Sequence, residues 1–323
     1  MILLFLFLAF SIFYFVYRWT KLYGFTDKPD GLLKNHEKAT SIGGGVAIIL
    51  VYSISHLLFP LNTMLNLYDF GTIWAVFILG VIDDKYRLGY TVKLLIQVLI
   101  VSLYIYLQGT FSFFIGFSLV ISLVILMNSI NIIDNYNGVS GFLYTYSVLI
   151  LSLSFNYPWT TVLVLLFPLV VFLLLNHRSP GNSLMFMGNN GSYTFGMIIC
   201  ILFLKGAMNT LGNSSSSQIF DLLAFSGVVF LPFIVDTLVV MIVRYYRGMN
   251  PLKGSHDHLS HILLDFGVKP LMIAPVLFLF FVMIASVALL LPPGMIRLAW
   301  VALSAVLWIV ILVNYRIKFK YVK

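Results

Sequence analysis

An all-α protein threaded many times through a membrane is what this sequence predicts, and three observations carry that expectation. Hydrophobic residues make up 61% of the 323-residue chain. Apolar stretches of about 20 residues alternate with short polar loops, the pattern of membrane-spanning helices. The basic residues fall in alternate loops, as the positive-inside rule requires. Soluble domains do not reach this composition, and no stretch is left over for one. Only 9% of residues are Asp, Glu, Lys or Arg, so each charge in a loop or helix is informative.

The first apolar run, Met1 to Tyr17, lacks a basic segment before it and a small-residue cleavage site after it. Arg18 and Lys21 follow instead, so it reads as an uncleaved first helix with its N-terminus outside. A polar loop runs from Asp27 through Asp30, Lys34, His36, Glu37 and Lys38 to Gly43-Gly44-Gly45. Further helices are expected over about 42–59, 70–82, 92–107, 111–127, 139–155 and 160–175. An eighth ends near Leu211, and the rest cover about 219–243, 270–291 and 295–314. That makes about eleven transmembrane helices in one membrane-embedded domain, residues 1–323, with the C-terminus cytoplasmic. Of the 19 basic residues, all but Lys205 and Arg297 fall toward that cytoplasmic side, and Asn213 to Gln218 forms an outer turn. The basic tail with Arg316, Lys318, Lys320 and Lys323 agrees.

Several function classes drop out. The net charge of +8 follows membrane sidedness, and no basic stripe with interleaved aromatics appears, so nucleic-acid binding is not expected. Cys200, the single cysteine, excludes an intrachain disulfide and reads as a packing residue. The polar loops near 18–41, 83–93, 128–138, 176–192 and 244–269 share the cytoplasmic side. A transporter would gather such groups near the bilayer midplane, so catalysis at the membrane surface is favoured over transport.

The chemistry centres on Asp83-Asp84, which ends one apolar run just before Lys85, Arg87 and Lys93. Adjacent carboxylates suit a hard divalent cation shared with phosphate oxygens; a solvated helix end is the plain alternative. Asn128, Asn131 and Asp134 are spaced to share a helix face, to hold a nucleotide or orient ligands; turn and cap residues are the other reading. Gly188-Asn189-Asn190-Gly191-Ser192 reads as a turn opening a helix, with Ser192 as its N-cap and free N–H groups for a phosphate. His256, His258 and His261 with Asp257 can donate hydrogen bonds to phosphates, whereas zinc would need further ligands. Asp236 is an intramembrane acid and hence a functional candidate, although packing near Arg244 would also explain it. Gly43 to Gly45 permit close helix approach, and His56 reads as structural. Replacing Asp69, on the outer side, is expected to do little to the chemistry.

Asp83-Asp84, the Asn128–Asp134 stretch, Met187 to Ser192 and the His loop together resemble the polyprenyl-phosphate N-acetylhexosamine-1-phosphate transferases, glycosyltransferase family 4. The resemblance covers most of the chain, from Asp27 through Gly267. It implies transfer of a sugar 1-phosphate from a UDP-N-acetylhexosamine to a polyprenyl phosphate, with release of UMP, initiating cell-envelope glycan synthesis at the inner (plasma) membrane. It implies Mg2+, with Mn2+ as a substitute, held by Asp83, Asp84, Asp134 and the position of Asn189. Asp83 and Asp84 are then catalytic, and Lys93, Asn128, Asn131, Asp134, His258 and His261 bind substrate. The partners implied are the lipid phosphate, the UDP-sugar and the membrane, with a homodimer as an option.

Two departures stand out. The family usually has Asp where this chain has Asn189, and often where it has Asn137. The His loop reads Ser255-His256-Asp257-His258-Leu259-Ser260-His261 rather than three consecutive histidines, which disfavours a muramoyl-pentapeptide substrate. A unit charge on another about 4 Å away is worth about 4 kcal/mol at an effective dielectric of about 20, before desolvation. A weak-metal enzyme and a catalytically silent relative that binds lipid phosphate or nucleotide therefore both follow from the sequence.

Overall fold

The computed structural model describes residues 2–28, 39–58, 65–109, 112–211, 216–250 and 257–319. Asp30, Lys34, His36, Glu37 and Lys38, the outer-turn residues 213–215, Ser255, His256, and the tail residues Lys320 and Lys323 lie outside them.

Long helices follow the apolar runs. They are α1 (Ile2–Leu22), α2 (Gly44–Leu58), α3 (Leu67–Tyr86), α4 (Tyr90–Gln108), α5 (Phe113–Ile132) and α6 (Val139–Phe155), then α7 (Trp159–Asn176), α8 (Gly188–Leu211) and α9 (Ser216–Tyr246). A short α10 (Leu259–Asp265) precedes α11 (Ile273–Leu290) and α12 (Met295–Phe319). Eight of these are long and apolar enough to cross a membrane, while residues 44–57 and 139–155 form shorter apolar helices. The remaining long helix, α3, carries Asp69 at one end and Asp83-Asp84-Lys85 at the other. The expected count of about eleven thus resolves into eight helices that meet the spanning criterion and three that are shorter or more polar.

One feature departs from an all-helical reading. Thr26–Asp27 pairs antiparallel with Thr40–Ser41, and Ser41 bridges in parallel to Met185. The Phe186 amide donates to the Ser41 carbonyl at 2.7 Å, and the Gly44 and Gly45 amides donate to Phe186 and Met187, both at 3.0 Å. The segment leading into α8 is therefore stitched to the segment leading into α2.

At the centre stands α8, which packs against α2, α3, α5, α6 and α9 and is almost wholly enclosed. By contrast α1, α4, α5 and α12 leave most of their surface outside the bundle. That outer surface is apolar, with Leu99, Leu103, Leu303 and Leu307 all exposed. Water would penalise such a face, whereas hydrocarbon does not. Cys200 is free and buried within α8.

Glycines set how closely the bundle closes around the start of α8. A Cβ on Gly45 would lie 2.1 Å from Asn190 Oδ1 and 2.3 Å from the Gly191 Cα, and one on Gly80 would lie 2.4 Å from the Asn190 Cα. The Gly43–Gly45 stretch and Gly80 are thus approach points for backbone on both flanks of α8's first turn. This is the close packing expected of the triple glycine.

The opposite end is held by charge. Lys205 on α8 contacts Asp69 at 2.7 Å, and Arg297 on α12 contacts Asp221 at 3.1 Å. Asp69 is fully buried, forms a capping box with Asn66, and accepts from the Tyr104 hydroxyl at 3.0 Å. Asp69 thus has a structural role: replacing it would strand a half-buried lysine and a buried phenol. His56 stacks on Phe70 at 4.9 Å in this region, a structural role.

Candidate active site

Alternate helices bring their ends to one face. The ends of α3, α5, α7 and α9 and the starts of α4, α6 and α8 meet there through side-chain contacts. Every candidate residue among the described ones lies on this face.

Asp83 and Asp84 close α3, one turn beyond Gly80. Asp83 is buried. Its Oδ2 contacts Lys93 Nζ of α4 at 3.1 Å and accepts from the Tyr193 hydroxyl of α8 at 3.3 Å. No other hydrogen bond reaches this carboxylate among the described residues, so Oδ1 is left unengaged. Asp84 is placed differently. Its Oδ1 accepts the Asn189 amide at 2.9 Å. Its Oδ2 accepts the Asn190 amide at 3.0 Å and the Asn190 side chain at 2.5 Å. A carboxylate at a helix N-terminus satisfies orphan N–H groups and complements the positive end of the dipole.

Two expectations for α8 are corrected by this arrangement. Ser192 does not cap the helix: α8 begins at Gly188, and the Ser192 hydroxyl lies inside it, donating to the Asn131 side chain and to the Gly188 carbonyl at 3.2 Å. Nor are the first amides of α8 free for a phosphate, because Asp84 accepts those of Asn189 and Asn190. Gly188 turns into the helix at φ +74°, a conformation that glycine adopts without penalty.

The Asn-x-x-Asn-x-x-Asp stretch divides between packing and site. Asn128 donates to Gln97 of α4 at 2.7 Å and ties α5 to α4. Asn131 receives Ser192 and ties α5 to α8. Asp134 lies in the turn after α5, where burial pushes its carboxyl up to about 6. The nearby Asp84 charge adds to that shift, and the Ser140 hydroxyl opposes it. Asn137 donates to the Arg178 carbonyl at 3.2 Å, so its amide joins two loops on the same face.

A second cluster forms around α10. Asp236 accepts the Leu259 amide at 2.7 Å and pairs with His258 Nδ1 at 2.8 Å. Asp236 thus holds the start of α10 and orients a histidine, with the Arg244 charge also within electrostatic reach. His258 and His261 have ring centroids 6.0 Å apart. The Ser260 hydroxyl donates to Asn135 at 2.6 Å, and His261 lies edge-on to Tyr136 at 6.2 Å. Residues 134–136 are therefore the bridge between the carboxylate cluster and the histidines. Asp257 pairs with Arg247 at 2.6 Å, and Arg316 pairs with Asp265, bracing both ends of the short helix.

Sequence reasoning did not find Gln97, Asn135, Tyr193 or Ser260. Gln97 and Tyr193 are common residues within apolar helices, Asn135 and Ser260 lie unremarked in polar loops, and only a partner across the bundle marks each of them. A metal was expected at Asp83, Asp84, Asp134 and Asn189. Among the described residues no three His, Cys, Asp or Glu side chains form a metal-holding group by themselves. Mg2+ characteristically uses one or two carboxylates, with substrate phosphates and water completing its shell. The donor set suits that pattern: hard carboxylate oxygens, one of them unengaged, beside an Asn189 side chain without a hydrogen bond of its own.

A family model described as Glycosyl transferase family 4 matches residues 66–207, which span Asp83, Asp84, Asn131, Asp134 and the start of α8. A protein of Bacillus subtilis (strain 168), named a probable undecaprenyl-phosphate N-acetylglucosaminyl 1-phosphate transferase, is 28% identical, with 79% of this chain and 74% of that protein covered.

Proposed function

Starting from a chain that belongs to glycosyl transferase family 4, we propose that this multi-pass membrane protein transfers a sugar 1-phosphate from a UDP-N-acetylhexosamine to a polyprenyl phosphate, releasing UMP. In that reaction an oxygen of the lipid phosphate attacks the β-phosphorus of the UDP-sugar. The bond from that phosphorus to the bridging oxygen breaks, and UMP leaves with the electron pair. The lipid phosphate is already largely ionised at neutral pH, its second pKa being about 6. The protein's principal task is then to gather two anions and hold them in line.

One observation carries the reading. Asp83, buried and with one free oxygen, sits beside Lys93 at the face where Asp134 and the His258 cluster also converge. Lys93 supplies fixed positive charge next to the carboxylate. His258, held at Nδ1 by Asp236, has its other ring nitrogen for a phosphate oxygen. Asn131 and Asp134 flank the space toward α8 on the nucleotide side of this proposal. Asp83, Asp84, Asp134 and Asn189 would hold Mg2+, which when bound neutralises diphosphate charge and makes UMP a better leaving group. The face is proposed to be cytoplasmic, because along the sequence 17 of the 19 basic residues, all but Lys205 and Arg297, fall in the loops and tail expected on that side.

The test is UMP release from a panel of UDP-sugars with polyprenyl phosphate and Mg2+, using purified protein. UDP-N-acetylhexosamines should support turnover and UDP-hexoses should not. No release with any donor at any Mg2+ concentration would sink the reading and leave a silent relative.

A further inference from the structure

Beyond the residues that the proposed transfer calls on, the geometry points to Tyr193 as a positioning residue for Asp83. The inference deepens the proposed function and rests on Asp83 being the carboxylate that faces the reactants. Tyr193 lies on the first turns of α8, fully buried. Its hydroxyl reaches across to Asp83 Oδ2 at 3.3 Å, the same oxygen that Lys93 contacts at 3.1 Å.

Two donors on one oxygen have a directional consequence. A carboxylate can rotate about its terminal bond, and a single donor on one oxygen leaves that rotation soft. A phenol from α8 and an ammonium from α4 approach Oδ2 from two different helices, so the plane of the group is fixed. Oδ1 is then the oxygen presented outward, and it carries no hydrogen bond among the described residues.

The backbone around Tyr193 is fixed independently. Asp84 accepts from the Asn189 and Asn190 amides, and Ser192 holds Asn131. Glycines on both flanks bring α2 and α3 against the same turn. The adjacent acids therefore have separate duties. Asp84 anchors the turn of α8, and that turn delivers the Tyr193 hydroxyl to Asp83.

The ring and the hydroxyl can be tested apart. Tyr193→Phe keeps the buried ring and removes the one bond, so the fold should persist. Hydrogen bonds to charged groups are worth enough that kcat should fall about tenfold. KM for both UDP-sugar and lipid phosphate should stay within about twofold, because Tyr193 touches neither. A double-mutant cycle on thermal unfolding in detergent, with Asp83→Asn as the second change, reads the same contact without turnover. The two substitutions should be clearly non-additive.

Unchanged kcat in Tyr193→Phe, with wild type active, would overturn the inference. So would a raised KM at constant kcat, which would make Tyr193 a substrate contact. If wild type itself releases no UMP, the proposed function fails first, and the unfolding cycle then decides: additive effects would show that Tyr193 and Asp83 do not interact.

Discussion

At the scale of single residues, the paired acids are not equivalent. Asp83 has one oxygen free, and Asp83→Asn keeps the shape of the group beside Lys93 and Tyr193, so it should abolish UMP release while the protein stays folded in detergent. Asp84 holds three N–H donors of α8. Asp84→Ala should therefore lower thermal stability by about 1–3 kcal/mol as well as removing activity; equal melting temperatures for both variants would contradict this division. Asn189 offers its backbone to Asp84 and leaves its side chain uncommitted, so Asn189→Asp can add a carboxylate without breaking a hydrogen bond of that side chain. Apparent Mg2+ affinity and turnover at low Mg2+ should rise, and saturating Mg2+ should narrow the gap. Weaker turnover at every Mg2+ concentration would mean that the amide has a positive role.

Asp134 makes a pH statement of defined sign. Its carboxyl is pushed up to about 6 in the fold, against about 3.9 when unfolded. The folded state binds the proton more tightly, so this group's contribution is fully present below about pH 4 and is lost as pH rises through about 6. In metal-free buffer, Asp134→Asn should remove that loss and gain stability relative to wild type above pH 6. An identical pH profile of melting temperature in the two proteins would refute it.

At the scale of elements, the start of α8 depends on its neighbours having no side chain. Gly45→Ala and Gly80→Ala would each drive a methyl group into the backbone or amide of residues 189–191. Both should cost folded yield, whereas Gly89→Ala, with open space around it, should not. The short α10 is held by Asp236 at its first amide and by Arg247 and Arg316 through Asp257 and Asp265. The triple glycine and the helix-opening turn were legible as sequence patterns. Their meeting was not, because residues 45, 80 and 191 are far apart in the chain. The N-cap assignment to Ser192 failed for the same reason. The cap comes from another helix, and only local candidates are visible to a pattern reading.

For the whole molecule, sidedness is the remaining arrangement to measure. With Cys200 buried, single cysteines can be introduced without replacing it. Exposed sites at Lys85 and Arg178 should label from the cytoplasmic side, and exposed Met295 from the other. Labelling of Lys85 and Met295 from one side would overturn the shared face. The bundle is tied at both ends: carboxylates meet helix starts at the site face, and Asp69–Lys205 and Asp221–Arg297 close the opposite one.

Composition and spacing by themselves determined that the chain is a helical membrane protein, and they singled out the polar loops and the acids and amides within them as candidates. Those properties are written locally, because hydrophobic length, charge asymmetry and motif order are all read along the chain. Only the tertiary structure decided how the polar groups are shared out. It gave Asp84 to the α8 amides, Asn128 to Gln97, Asp236 to His258, and the Tyr193 hydroxyl to Asp83. Each is a bond between segments distant in the chain, and most buried donors and acceptors are held by such partners. Which partner it finds depends on how closely the helices approach, and here that distance is set by glycines that carry no chemistry of their own.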